Sequence, residues 1–306
     1  MPLHIPTPLL ASEPLSRLTG GDVRLKLECL QPSGSFKLRG IGAACEAYAA
    51  AGKRRFVSSS GGNAGIAAAY AGRRLGVPVT VFVPETTTER AKAVIRQEGA
   101  DVVVHGSSWQ EANALALDSL AAHDAFLHPF DDALLWPGYA SMIDEVAATG
   151  WQPEAVLLSV GGGGLFCGVV EGLQRNGWGQ VPVITAETEG AASLARSVAA
   201  GERIALQAIA SVATSLGAKQ VCAHAFELAQ RHPVHCVTVS ERAALSACER
   251  FLDDHRLLVE PACGAALAPV YESVEALRGN ARLLVIVCGG VTATHAQIQN
   301  WLRHAA

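Results

Sequence analysis

The sequence predicts an α/β protein whose parallel or mixed sheets are covered by helices, and three observations carry that prediction. Short apolar runs, such as residues 77–83 and 155–160, alternate along the chain with longer stretches of helical periodicity. A strand that is buried on both faces shows such a continuous apolar run, because helices cover the sheet on each side. The chain has 306 residues, half of them hydrophobic, which is enough for two domains with cores of their own.

The elements follow one another in a regular order. Strands are predicted over residues 23–28, 55–58, 77–83, 101–105, 155–160, 181–186, 234–239 and 283–287. Helices are predicted from Lys37 onward, over residues 63–75, 88–97 and 109–122, and up to about Gly150, with others between and after the later strands. The passage 130–138 is rich in aromatic residues and proline, and it is a candidate linker between a smaller and a larger module.

Composition excludes several classes of partner and location. The net charge of −4 gives no reason to expect a nucleic acid or an anionic membrane surface as a partner. No apolar run approaches the length of a membrane span, and the N-terminus has no apolar core of a signal peptide. The eight cysteines are scattered without a CxxC pair, as in reduced proteins. We therefore expect a cytoplasmic protein.

The stretch SGSFKLRG, residues 33–40, places Lys37 behind a Gly/Ser turn in the first turn of a predicted helix. The helix dipole is positive there, so it favours a lowered lysine pKa. A lysine with a lowered pKa can form a Schiff base. An isolated lysine is more often a solvated surface residue, and this stretch alone leaves that alternative open.

Three glycine-bearing loops follow predicted strands. The loop SSSGGNAG, residues 58–65, opens a helix with hydroxyl, amide and backbone N–H groups, which suits a carboxylate. The four glycines at 161–164 also open a helix and could wrap a phosphate, although a flexible loop without a ligand is the alternative. The third loop, VCGG at 287–290, stands at a strand's carboxyl end, where ligands bind in α/β sheets.

An imine-forming lysine, a phosphate loop, a carboxylate loop and a strand-end thiol together indicate pyridoxal phosphate (PLP). The motifs SGSFKLRG, SSSGGNAG, SVGGGG, LVEPACGAA and VCGG, in this order, resemble those of the fold-type II PLP enzymes. More narrowly, they resemble the short L-serine/L-threonine dehydratases, and FDDALLWPGYAS, EGLQRNGWGQVPV and SVATSLGAKQV extend the likeness over nearly the whole chain. The resemblance implies a tryptophan synthase β-like fold with a large domain (1–30 and 132–306), a small domain (31–131) and the cofactor in the cleft.

The resemblance also implies roles for individual residues. Lys37 would form the Schiff base, Phe36 would lie against the cofactor ring, and Asn63 would bond the ring hydroxyl. The remaining cofactor contacts would be Gly161, Gly162, Gly163 and Gly164 at the phosphate and Cys288 at the pyridine nitrogen. From the residues alone, Cys288 could equally be a small buried side chain at a strand end.

The substrate is expected to bind at the second loop, where the resemblance gives Ser60 a catalytic role beside Lys37. The substrate carboxylate would be held by Ser60, Gly61, Gly62, Asn63 and Ala64. Gly61 stands where many relatives carry a small side chain, which affects the expected shape of this loop. A cation site, usually for potassium, would comprise Glu187, Ala191 and Ser193 with carbonyls near Gly161, Leu216 and Ala218.

The activity implied is β-elimination, converting L-serine or L-threonine into pyruvate or 2-oxobutanoate plus ammonia, in a homodimer. Two alternatives remain. One is another fold-type II enzyme, such as an amino-acid racemase, a threonine synthase or a β-replacement synthase, although their NPSGSVKDR-like and SGNHAQ-like motifs are absent. The other is a catalytically idle PLP-binding subunit, against which Lys37 and the three loops argue. The segment EPAC at 260–263 could be only a helix start.

Overall fold

The apolar runs of the sequence form the inner strands of two sheets. The computed structural model describes residues 1–277 and 279–305. The strands are β1 (Leu9–Ala11), β2 (Asp22–Lys26), β3 (Arg55–Ser58), β4 (Val79–Val83), β5 (Asp101–Val104), β6 (Asp124–Leu127), β7 (Ala155–Ser159), β8 (Val183–Thr188), β9 (Val234–Val239) and β10 (Arg282–Ile286). They confirm the α/β class, with one mixed and one parallel sheet.

The larger sheet has six strands in the order β1-β2-β10-β7-β8-β9. Only the β1–β2 pair is antiparallel, and every other neighbouring pair is parallel. The smaller sheet is fully parallel, in the order β5-β4-β3-β6. The chain therefore begins in the larger sheet, leaves it to build the smaller one, and returns to complete the larger one.

Helices pack on both sheets and bury their apolar faces. They are α1 (Glu13–Thr19), α2 (Lys37–Ala50), α3 (Asn63–Leu75), α4 (Glu89–Gln97), α5 (Trp109–Asp118), α6 (Trp136–Ala147), α7 (Gly164–Arg175), α8 (Ser193–Ala200), α9 (Ala223–Arg231), α10 (Glu241–His255), α11 (Pro261–Tyr271) and α12 (His295–His304). Every residue of α11 is buried. Within the described residues, no helix is long and apolar enough to cross a bilayer.

The parallel strands bring the three glycine-bearing loops to the carboxyl ends of their sheets. The SSSGGNAG loop follows β3, the glycine run follows β7, and Cys288 follows β10. Asn63 is the first residue of α3 and Gly164 the first residue of α7, as the sequence predicts. Ligand-binding groups at these strand ends are typical of α/β proteins.

Several boundaries differ from the sequence-based predictions for physical reasons. The strand predicted over 77–83 begins at Val79, because Pro78 has no N–H to pair. The candidate linker 130–138 is partly helical, since α6 begins at Trp136 and accommodates Pro137 in its first turn. Two strands were not predicted: β1, which has three residues and no recognisable alternation, and the four-residue β6. The domain boundaries near residues 31 and 131 remain a prediction.

Candidate active site

Lys37 begins α2 and points into a partly apolar recess. Its Nζ donates a hydrogen bond to the carbonyl of Pro129 at 2.5 Å and lies 5.0 Å from the centre of the Phe36 ring. The Tyr139 ring is 5.9 Å away on the same side. Burial lowers the pKa of Lys37 to about 8, although the nearby Cys288 and Glu260 act in the opposite direction. A lysine with this pKa supplies neutral amine near physiological pH.

The turn before Lys37 is bonded to the end of β10. Phe36 N–H donates to the carbonyl of Cys288 at 2.9 Å, and Ser35 pairs with Gly289. Gly34 has a φ of +81°, and a Cβ there would lie 2.5 Å from the Cβ of Val291. Only glycine allows this conformation and this close approach. The turn thus places the start of α2, and with it Lys37, beside Cys288 at the end of β10.

A buried ionic network holds α2 in place two residues after Lys37. Arg39 is fully buried and donates to Glu28 at 2.7 Å and to Glu145 at 2.7 Å. Lys26 also contacts Glu145, so two cations face two carboxylates. Hydrogen bonds satisfy the whole group, which includes the hydroxyl of Thr7. Because each charged group of the network has hydrogen-bond partners, the network fixes the start of α2 in place.

The glycine run at 161–164 has free hydrogen-bond donors. In the described part of the chain, no backbone or side-chain acceptor pairs with the N–H groups of these four residues. A Cβ on Gly162 would lie 2.2 Å from Cγ of Phe130, and one on Gly163 would lie 2.4 Å from Cβ of Ala225. Because these residues have no side chain, Phe130 and Ala225 can pack closely against them. Their N–H groups remain free at the start of α7. This donor set fits a phosphate.

The loop 60–64 supplies a second group of donors at the start of α3. Gly62 N–H makes a long hydrogen bond of 3.4 Å to the hydroxyl of Ser60, and the N–H groups of Asn63 and Ala64 have no acceptor among the described residues. A Cβ on Gly61 would lie 2.8 Å from Cγ2 of Thr87. Thr87 therefore fills the volume that a side chain at residue 61 would need, and the donors suit a carboxylate.

Asn63 connects the loop after β3 to the larger sheet. Its Nδ2 donates to Glu260 Oε1 at 2.8 Å and reaches Ser215 Oγ at 3.4 Å. The hydroxyl of Thr292 donates to the other carboxylate oxygen of Glu260. Asn63 Oδ1 is buried and has no partner in the described part of the chain. A buried unpaired amide oxygen is costly and marks a place where a ligand group can bind.

Cys288 is buried at the end of β10, near other polar groups of the larger sheet. Its Sγ lies 3.6 Å from the hydroxyl of Ser159, at the end of the neighbouring strand β7. Burial and a contact with Cys288 raise the pKa of the Cys263 thiol. Cys288 thus contacts the Ser159 hydroxyl and the Cys263 thiol, and a thiol is at most a weak partner for a ring nitrogen.

The residues predicted for a cation form two neighbouring groups. Glu187 is buried at the end of β8, and its carboxylate accepts from the N–H groups of Leu194 at 2.9 Å and Ala195 at 2.7 Å. Burial raises the pKa of Glu187 to about 7. Ser193 Oγ is buried without a partner among the described residues. Gly161 packs on Leu216, with a hypothetical Cβ 3.0 Å from Leu216 Cα.

The remaining residues of that prediction lie on two short turns. Ala191 ends the 3₁₀ turn Glu189–Ala191, and Ala218 N–H donates to the carbonyl of Leu216 at 2.8 Å. No cluster of three His, Cys, Asp or Glu side chains that could hold a metal ion occurs among the described residues. A cation here would therefore depend on carbonyl and hydroxyl oxygens beside one carboxylate.

Sequence reasoning missed four contacts of the site: the Pro129 carbonyl, the Tyr139 ring, Ser215 and Thr292. It treated Glu260 as a helix start, and α11 does begin at Pro261, but the Glu260 side chain makes no capping bond to that helix. The only available signal was a glutamate before a proline in an otherwise apolar segment. That pattern indicates a helix start and gives no information on a partner 197 residues away.

Comparisons with known proteins agree with this geometry. The family model described as "Pyridoxal-phosphate dependent enzyme" matches residues 1–289. The human protein named "L-serine dehydratase/L-threonine deaminase" is 49% identical over 310 residues, covering 97% of this chain and 94% of its own length.

Two solved structures extend the likeness to three dimensions. A fungal L-serine ammonia-lyase from Rhizomucor miehei superposes with a TM-score of 0.94 at 35% identity, and the match covers 100% of both chains. Maize serine racemase superposes with a TM-score of 0.89 at 21% identity over 98% of this chain and 93% of its own, which shows a shared fold only. The chain belongs to the family of pyridoxal-phosphate dependent enzymes, with the fold of its type II members.

Proposed function

We propose that this protein is an L-serine/L-threonine dehydratase, which converts L-serine into pyruvate and L-threonine into 2-oxobutanoate, each with release of ammonia. The observation that carries the proposal is the Lys37 amine, whose pKa burial lowers to about 8. It bonds to Pro129, and the adjacent Phe130 packs on the glycine run. The 49% identity to a protein named for this activity supports the same assignment.

The residues present fit the cofactor of this family. Lys37 would hold it covalently, Phe36 would pack on its ring, and Asn63 would meet its ring hydroxyl. Gly161, Gly162, Gly163 and Gly164 would bind its phosphate through their free N–H groups, and Cys288 would face its ring nitrogen. Bound PLP supplies an electron sink that stabilises negative charge at the substrate α-carbon.

Lys37 would then move the proton on which the reaction depends. Because burial lowers the pKa of Lys37 to about 8, about half of its amine is neutral near pH 8, and in that form it would take the α-proton. The β-hydroxyl leaves as water, and hydrolysis of the released enamine uses one water and frees ammonia. Phe36 and Tyr139 keep bulk water away from the amine, which preserves its lowered pKa.

The substrate would be oriented by the loop at the start of α3. The free N–H groups of Asn63 and Ala64 would bind its carboxylate together with Gly61, Gly62 and the hydroxyl of Ser60. This fixes the α-carbon relative to Lys37, and Ser60 would contact the reacting part of the substrate. A small substrate is favoured because Thr87 packs close against this loop at Gly61.

A monovalent cation, usually potassium in such enzymes, would bind beside the phosphate loop. Its ligands would be Glu187 and Ser193 with carbonyl oxygens near Gly161, Ala191, Leu216 and Ala218. The unpartnered hydroxyl of Ser193 and the buried carboxylate of Glu187 support this proposal. The protein would act as a cytoplasmic homodimer, and its eight free cysteines are consistent with a reducing compartment.

The test is to incubate the purified PLP-loaded protein with L-serine, L-threonine and both D-isomers. Pyruvate and 2-oxobutanoate should form from the L-isomers together with equal amounts of ammonia, and the Lys37→Ala variant should form neither. Light scattering of the same sample measures its oligomeric state. Conversion of L-serine into D-serine without keto acid would instead identify a racemase, and inactivity on all four would contradict the proposal.

A further inference from the structure

Glu260 is a buried carboxylate in contact with a residue of the proposed cofactor site. Only 1% of its surface is exposed, and it stands immediately before α11, in the larger sheet's part of the chain. Asn63 belongs to the smaller sheet's part, at the start of α3. The hydrogen bond between them, 2.8 Å from Nδ2 to Oε1, therefore crosses the cleft between the two sheets.

Both oxygens of the Glu260 side chain accept hydrogen bonds. Asn63 Nδ2 donates to one oxygen and the hydroxyl of Thr292 donates to the other. An accepting oxygen must face a donor, and the donor of an asparagine side chain is its NH₂ group. Asn63 therefore turns its NH₂ group, and not its carbonyl oxygen, toward Glu260.

The second hydrogen of the Asn63 amide also has an acceptor. Ser215 Oγ lies 3.4 Å from Nδ2, so the two hydrogens of that nitrogen are directed to Glu260 and Ser215. The amide oxygen Oδ1 is left buried and unpaired in the described part of the chain. The only hydrogen-bonding group that the Asn63 side chain can still offer to a ligand is thus an acceptor.

We propose that Glu260 is a positioning residue that fixes the amide of Asn63, so that Oδ1 accepts a hydrogen bond from the ring hydroxyl of the cofactor. This rests on the proposed function, because it takes Asn63 to meet that hydroxyl. A hydrogen bond that needs the hydroxyl proton favours the neutral form of the ring oxygen over its anion. Glu260 thereby sets the protonation of the cofactor without touching it.

The proposal is tested by exchanging the two partners. Asn63→Asp should weaken PLP binding roughly 10- to 100-fold, because two carboxylates then face each other in a buried site. Glu260→Gln should weaken it by about tenfold, since the Asn63 amide can then turn and offer Nδ2 instead. The absorption spectrum of the bound cofactor at fixed pH should shift toward its anionic ring form in Glu260→Gln.

The double variant, Asn63→Asp with Glu260→Gln, separates positioning from space filling. The amide introduced at residue 260 can donate to the new carboxylate at residue 63, which keeps an oxygen for the ring hydroxyl. PLP affinity should therefore recover to within about tenfold of the parent. The parental spectrum should return with it. The proposal would be overturned if the losses of PLP affinity in the two single variants simply added in the double variant. It would also be overturned if Glu260→Gln bound PLP with the parental affinity and spectrum.

A matched control variant keeps the result interpretable. Glu241→Gln makes the same chemical change at a carboxylate that bonds Val212 N–H at 3.0 Å and should leave spectrum and affinity unchanged. A spectral shift in Glu241→Gln as large as that in Glu260→Gln would mean a general loss of structure and would contradict the proposal.

The readouts also separate this proposal from the proposed function. Affinity and spectrum are measured without substrate, so they report on Glu260 whether or not keto acid is formed. A parent protein that binds PLP with the predicted variant pattern but forms no keto acid would refute only the dehydratase assignment. The reverse result, active parent and no effect at residue 260, would refute only the role of Glu260.

Discussion

Two regions meet at the start of α2, and they differ in whether their polar groups have hydrogen-bond partners. Around Arg39, two cations and two carboxylates are paired completely. Around Lys37, the amine has a single carbonyl partner, and nearby donors at 161–164 and the oxygen of Asn63 have none among the described residues. Saturated polar groups fix a position, whereas unsatisfied ones are available to a ligand.

The contrast shows how the start of one helix can be held firmly by Arg39 and still carry a reactive side chain at Lys37. The paired side of α2 tolerates burial of charge because each ion has a partner of opposite sign. The other side keeps Lys37 poorly solvated, which lowers the pKa of its amine. The first region should therefore govern stability and the second should govern cofactor binding and catalysis, so substitutions in the two should separate these properties.

The largest effect is expected from Lys37→Ala. The variant loses both the covalent anchor of the cofactor and the base at the α-carbon, so kcat/KM for L-serine should fall by about 10⁴-fold. Its urea unfolding midpoint should stay close to that of the parent, because the Lys37 side chain makes one hydrogen bond among the described residues. Keto-acid formation within tenfold of the parental rate would refute the role of Lys37.

Arg39→Met should show the opposite pattern. Removing the guanidinium leaves Glu28 and Glu145 without their main partner, which should lower the free energy of unfolding by about 3–5 kcal/mol. The matched control is Arg175→Met, which breaks an exposed pair with Asp144 and should cost no more than about 1 kcal/mol. If urea unfolding showed equal losses of unfolding free energy in Arg39→Met and Arg175→Met, the buried network would contribute no more to stability than a surface ion pair, which would contradict this prediction.

Gly162→Ala tests the phosphate loop on a smaller scale. The added methyl would lie 2.2 Å from Cγ of Phe130, so the ring or the loop must shift. Overpacking of this kind should lower the free energy of unfolding by about 1–3 kcal/mol, and it should weaken PLP binding as well. Gly179→Ala places its methyl 3.8 Å from Gln174 Cγ and should change neither quantity, as measured by urea unfolding and PLP titration.

The smallest effect is a pH dependence of cofactor uptake. Because the pKa of Lys37 is lowered to about 8, the neutral amine that attacks the cofactor aldehyde increases as pH rises. The rate at which the cofactor-free protein incorporates PLP should therefore rise by about tenfold between pH 7 and 9 and level off above that. Stopped-flow absorbance measures it, and a rate that is flat over this range would contradict the lowered pKa.

Local patterns were sufficient to predict part of this site. The helix starts at Lys37, Asn63 and Gly164 follow from turn residues before apolar periodicity, and the structure confirms them. The low pKa of Lys37 was expected from the helix dipole, but burial is its main cause. Burial of a side chain depends on what the rest of the chain packs against it, which no local pattern reports.

Contacts between distant segments could not be predicted from the residues alone. Lys37 meets the carbonyl of a residue 92 positions away, and Asn63 meets Glu260 at a separation of 197. Neither Pro129 nor Glu260 carries a signal for such a partner in its own sequence neighbourhood. Their roles follow from the way the two sheets face each other.

The central claim is that the unsatisfied region at Lys37 is where the cofactor is bound. The most direct test is to reduce the PLP-loaded protein with borohydride, digest it and locate the pyridoxyl group by mass spectrometry. We predict the label on the peptide that contains Lys37 and none on the two buried lysines, Lys26 and Lys92. A label on another lysine, or bound PLP that borohydride does not attach to the chain, would contradict the claim.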